Sequence, residues 1–236
     1  GWECWPVSLC SCLVCCCLML VCFIRILAVL LFLFAVSYAH RVSPGAFFGL
    51  DKINCMLAMY LMLGPCGARY SLDSVRRLRR GDTQPVAPST AANLAVRLLQ
   101  IHLCLIYLFS GLAKLTGENW HAGTAVWWAL ANLEYQSIDM TWLANHPILI
   151  AFATHVALFW ELFYCALVWN RYTRSLVLWM AVFVHGGIAL FMGMITFGLA
   201  MLIANLAFIK PATVRRWVGP VADRVALMLG GKTVKS

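Results

Sequence analysis

The stretch Asn93–Lys114, "NLAVRLLQIHLCLIYLFSGLAK", holds 22 residues, and Arg97 and Lys114 are its only charges. As a helix it spans roughly 33 Å, enough to cross a hydrocarbon core about 30 Å thick. That reading makes the chain an integral membrane protein, and the composition agrees. Hydrophobic residues make up 63% and charged residues 11%, with a mean hydropathy of +0.83; in a soluble domain about a quarter of residues are charged. Further apolar runs fall at 5–23, 26–39, 53–66, 147–169, 174–190 and 193–209. The expected fold is an all-α polytopic transmembrane bundle of six or seven spans, forming one domain over 1–209 with a basic cytoplasmic tail over 210–236. The start, Gly1-Trp2, has no basic n-region before the first apolar run, so it reads as a processed or truncated end rather than a signal peptide.

Charge patterning excludes some functions and suggests an orientation. The net charge of +9 is spread over short segments between apolar runs, and no Gly-rich phosphate loop or nucleic-acid motif accompanies it, so nucleic acid is set aside. The segment Arg69–Thr90 carries five arginines, whereas Leu115–Pro147 carries no Lys or Arg but has Glu118, Glu134 and Asp139. By the positive-inside rule the arginine segment and the tail are cytoplasmic and the acidic loop lies on the other side. This predicts a multi-pass protein of the cell inner membrane. The tail mixes Arg215, Arg216 and Arg224 with Trp217 and Val221, a composition suited to an anionic leaflet. Its Gly219-Pro220 pair argues against one long helix there.

Seven of the eleven cysteines fall between Cys4 and Cys22, with a Cys-x-x-Cys at Cys12 and Cys15. In an apolar, uncharged setting they read as small hydrophobes rather than redox thiols. Histidine and cysteine nowhere combine as short-spaced pairs into a ligand set, so no metal is expected.

Ionisable residues within spans are costly and therefore candidates for function: Arg97, His102, Lys114, His155, Glu161 and His185. Lys114 reads either as a boundary lysine snorkelling to water or as a partly desolvated general base. Ser110 precedes it by one turn, about 40° away on the wheel, close enough to hydrogen-bond it. His102 lies about 18 Å down the axis and is no direct partner. His155 and Glu161 face different neighbours, about 120° apart, and either can meet Lys114 from another helix. His185 precedes Gly186-Gly187, and with Gly193 and Gly198 these glycines allow close helix packing or leave room for a flat ligand. Trp120, Trp127, Trp128 and Trp142 suit interfacial anchoring.

The segment "YLFSGLAKLTGENWHAG" resembles part of the vitamin K-dependent gamma-glutamyl carboxylases, in which Tyr, Ala-Gly, Lys-Lys-Leu, Trp and Gly follow in the same order. The wider group is the HTTM (horizontally transferred transmembrane) family. The segments "FGLDKINCMLAMYLMLGPCGARYSLDS" and "HGGIALFMGMITFGLAMLIANLAF" are similar to bacterial members. The resemblance implies that Lys114, at the second lysine of the pair, deprotonates a reduced quinone such as menaquinol. Here the first lysine is Ala113, and the family's upstream Asn-His pair reads Asn54-Cys55, so His185 is the candidate to take over the assisting role. The catalytic candidates are thus Lys114, His185 and Glu161; the substrate-binding candidates are Ser110, Trp120, Asn54 and Gly193. The chain is too short for the carboxylase's lumenal domain, which leaves quinol oxidation or epoxidation as the expected activity, membrane lipid as a partner and no protein partner identified. The alternatives are a non-catalytic module that binds lipid or quinone or scaffolds a redox partner and, third, a transporter.

Overall fold

The computed structural model describes residues 24–42, 49–65 and 89–228, together with 76, 77, 80 and 87. Among the described residues the regular structure is helical: α1 Ile24–Val42, α2 Gly49–Leu63, α3 Thr90–Leu115, α4 Glu118–His121, α5 Ala125–Leu130, α6 Pro147–Leu167, α7 Arg174–Phe191, α8 Ile195–Asn205 and α9 Pro211–Met228, with 3-10 turns at Thr141–Asn145 and Leu206–Phe208. Three of these helices are long and apolar enough to cross a bilayer, or up to four if each bent pair counts as one span. The expected run 5–23, with its cysteine cluster, and most of the arginine segment lie outside the described residues.

The contacts divide the chain into one unit of residues 1–99 and 209–236 and a second of residues 100–208. In the first, α1 and α2 pack along each other, burying Ala28, Leu31 and Ala39 on one helix and Ile53, Met56 and Ala58 on the other. The start of α3 is capped by Ser89, whose Oγ accepts the Ala92 N–H at 3.3 Å and satisfies one of the donors a helix start leaves open. α9 runs unbroken through Gly219-Pro220, which corrects the break expected there. The proline removes one backbone donor, but the preceding glycine has no Cβ to clash with the proline ring, so the helical conformation stays open to it.

In the second unit α6 is the hub, packing against α4, α5, α7 and the Thr141–Asn145 turn. It begins with Pro147, whose fixed φ suits the first helical position. At its end Arg174 folds back, donating from Nε to the Val168 carbonyl at 3.0 Å and from Nη2 to the Trp169 carbonyl at 3.1 Å, so the final carbonyls are not left bare. α7 and α8 form a hairpin through Gly193, whose φ of +66° is readily open to glycine. Gly186, by contrast, lies inside the continuous α7 and makes no break. The α7–α8 packing depends on Gly198, because a Cβ there would stand 2.6 Å from the His185 carbonyl and 2.8 Å from Ala189 Cβ. Outward faces of the unit are apolar, with Phe152, Phe163, Trp179 and Phe183 exposed, while the polar residues described next point inward. That inversion suits a lipid surround, in which packing and internal hydrogen bonds hold helices together.

Candidate functional site

Tyr107, Ser110, Gly111 and Lys114 follow one another at helical spacing on α3 and form a single stripe. Gly111 sets the distance to α6. A Cβ on it would stand 3.0 Å from Leu162 Cγ and 3.1 Å from the Leu162 backbone nitrogen, so only a residue without a side chain lets α3 approach this closely. One turn further on, Lys114 Nζ meets Glu161 Oε2 at 2.6 Å and donates to Ser110 Oγ at 2.6 Å. The side chains of the pair are 24% and 12% exposed, so Lys114 is turned into the helix contact rather than stretched toward water.

The chain then folds back over the pair. Gly117 permits this, since a Cβ there would press on Trp120 Cδ1 at 3.0 Å, and α4 carries Trp120 to within 5.3 Å of Lys114 Nζ, measured to the ring centroid. At that distance an ammonium is attracted to the indole face. Gly123 and Thr154 fix the loop on α6. Gly123 has a φ of +71° and sits against Ala151 and His155, and Thr154 Oγ1 accepts the Val126 N–H at 3.2 Å. His155 is held by its own helix, Nδ1 to the Ala151 carbonyl at 2.8 Å, which leaves Glu161 as the residue of the two that meets Lys114.

Beside the ion pair lies a buried aromatic and amide cluster. Tyr107 packs against Trp160 and Tyr164, with ring centroids 5.0 and 4.1 Å away. Tyr164 donates its hydroxyl proton to Asn205 Oδ1 at 2.7 Å. Asn205 Nδ2 donates to the Met201 carbonyl at 2.8 Å and to the Tyr107 hydroxyl at 2.9 Å. Tyr107 in turn contacts His185 Nε2 at 2.7 Å. The His185 ring also lies 5.9 Å from Phe197, and the residue is only 4% exposed.

The second unit thus brings Lys114, Glu161, Ser110 and Trp120 into direct contact, with His185 in the adjoining cluster. Gly193 serves the α7–α8 turn, where Ser137 of the acidic loop docks, its backbone N–H donating to the Phe191 carbonyl at 3.1 Å. Asn54 is exposed and Cys55 half-buried on α2, in the other unit. Sequence reasoning missed Tyr107, Tyr164 and Asn205; a lone amide inside the apolar run 193–209 was the available signal for Asn205. Among the described residues no group of three His, Cys, Asp or Glu is placed to hold a metal ion.

A family model described as HTTM domain matches residues 6–212. No curated protein and no solved structure matches.

Proposed function

Since this chain belongs to the HTTM family of membrane proteins, we propose that its second unit binds a reduced quinone and oxidises it, with Lys114 as the proton acceptor. The observation that carries this reading is the inward Lys114–Glu161 pair. A boundary lysine serving as an anchor gains most by reaching water, whereas a charged pair held within apolar helices is costly and marks a functional position by default.

The side chains at hand suit such a substrate. A quinol offers two ionisable hydroxyls on a flat ring and, with dioxygen as oxidant, ends as quinone and hydrogen peroxide or as epoxide and water. As an ammonium, Lys114 Nζ has three donors and no lone pair, so it must shed a proton before it accepts one. Glu161 Oε2, 2.6 Å away, is the group placed to receive that proton and free the amine. Ser110 fixes the Nζ position from its own helix, and the Trp120 face covers the pair. His185 and Tyr107 supply hydrogen-bonding capacity beside it. We assign the protein to the inner membrane as a multi-pass protein, with the basic face of α9 on the anionic cytoplasmic leaflet.

The test is product analysis of the full chain in lipid, given a panel of reduced quinones including menaquinol under oxygen. Turnover that Lys114→Ala abolishes supports the reading. A Lys114→Arg protein that keeps full function refutes it, since arginine cannot act as a base near neutral pH. A second reading is favoured by the mutual satisfaction of the pair: Lys114 and Glu161 act as a clasp between α3 and α6, and the protein holds lipid or quinone without transforming it. Quinone binding without turnover, unaffected by Lys114→Ala, selects that reading.

A further inference from the structure

The hydrogen-bond chain running from Tyr164 to His185 takes its direction from the carbonyl at its far end. The Met201 carbonyl can only accept, so the Asn205 atom facing it at 2.8 Å is the amino nitrogen and the amide cannot be turned over. That nitrogen has a second proton, which goes to the Tyr107 oxygen; the amide oxygen accepts from Tyr164. The Tyr107 proton is satisfied by His185 Nε2, whereas the opposite sense, Nε2–H to the Tyr107 oxygen, leaves both that proton and the Nδ1 lone pair without a partner among the described residues. A nitrogen that accepts carries no proton, and the ring is therefore the neutral tautomer with its proton on Nδ1. That Nδ1–H is buried and has no hydrogen-bond partner among the described residues. Buried donors are nearly always paired, and an exception calls for an explanation. Three further side chains are arranged to keep the proton on this one unpaired nitrogen.

We propose that His185 Nδ1–H is the hydrogen-bond donor to the carbonyl oxygen of an uncharged, membrane-soluble ring ligand, and that Tyr107, Asn205 and Tyr164 are positioning residues that hold the proton on that nitrogen. The inference deepens the quinone reading of this unit and rests on it. It assigns the group that meets a ring oxygen, separate from the group that takes a proton. No bond to carbon forms or breaks in this step, and no electron moves.

The test uses the full chain in lipid nanodiscs, labelled with 15N-histidine, with menaquinone-4 as probe. The His185 signals are assigned by their loss in His185→Asn, and Tyr107→Phe serves as the second variant. The expected result is a protonated Nδ1 and a bare Nε2 in the free protein, with the Nδ1 signal moving when menaquinone-4 is added. In Tyr107→Phe the proton redistributes toward Nε2, and menaquinone-4 binds about tenfold more weakly, the equivalent of one hydrogen bond. A protonated Nε2 in the wild type overturns the proposal. So does an Nδ1 signal that the quinone leaves unmoved. Quinol turnover with an unmoved His185 keeps the oxidase reading and rejects this one, while a moved signal without turnover does the reverse.

Discussion

Replacing Lys114 and Glu161 separately and together measures how far this pair is sheltered from solvent. At 2.6 Å and an effective dielectric of about 20, the gross attraction is about 6 kcal/mol. Removing one member of a fully buried pair costs about 3–5 kcal/mol, because the other charge is left uncompensated. Here the side chains keep 24% and 12% of their exposure, and water reaching them reduces the penalty to about 2–3 kcal/mol for Lys114→Met or Glu161→Leu alone. The double variant removes both charges in favour of apolar groups and should return to within about 1 kcal/mol of wild type, since apolar replacement of a whole buried pair is often neutral. The coupling energy from the cycle is then about 2 kcal/mol or more. Reversible unfolding in mixed micelles, read by tryptophan fluorescence, supplies the four stabilities. Single variants within about 0.5 kcal/mol of wild type and a coupling near zero would place the pair in water and remove the argument for a sheltered proton acceptor.

Gly198→Ala should destabilise the protein by about 1–3 kcal/mol, because its Cβ meets a backbone carbonyl that cannot step aside; thermal melts of purified protein give the value. A peptide of residues 211–228 should gain helix, by circular dichroism, on vesicles containing phosphatidylglycerol and not on neutral ones. Val214, Trp217, Val218, Val221 and Met228 fall within an arc of about 100°, and Arg215, Arg216 and Arg224 lie outside it; equal binding to both vesicle types would contradict this. Asp139 caps the turn before Thr141, accepting its N–H at 2.9 Å, which holds the carboxyl below its ordinary 3.8. A depressed folded-state value stabilises the turn above that ordinary value and loses the contribution as pH falls through the folded one. The protection factor of the Thr141 amide, its exchange rate corrected for the intrinsic pH dependence, should accordingly be unchanged between pH 7 and 5 and fall in acid below that window, a fall that Asp139→Ala abolishes.

The helices themselves were legible because apolar length is a strong signal: the runs 93–114, 147–169 and 174–190 became α3, α6 and α7 with ends shifted by no more than three residues. Ser110 beside Lys114 followed from helical spacing alone. The choice of Glu161 over His155 did not, because it depends on how α6 is rotated against α3, which the glycine contact at Gly111 sets. The network around Asn205 was hidden for a related reason. Tyrosine and asparagine carry no charge to draw attention in an apolar run, and their partners lie on three other helices. Pro220 misled in the opposite sense, a local rule offset by the glycine before it.

The single amide of Asn205 also has consequences for how the protein is made. It emerges 98 residues after Tyr107, so at about 5–20 residues per second the ribosome needs about 5–20 s to deliver it. Through that interval α3 is already synthesised, and the Tyr107 hydroxyl is free to give or accept a proton. The handedness of the relay is settled only when α8 docks, which makes the arrival of that helix the event that matures the histidine, and leaves a chain that ends before Asn205 with its site unset.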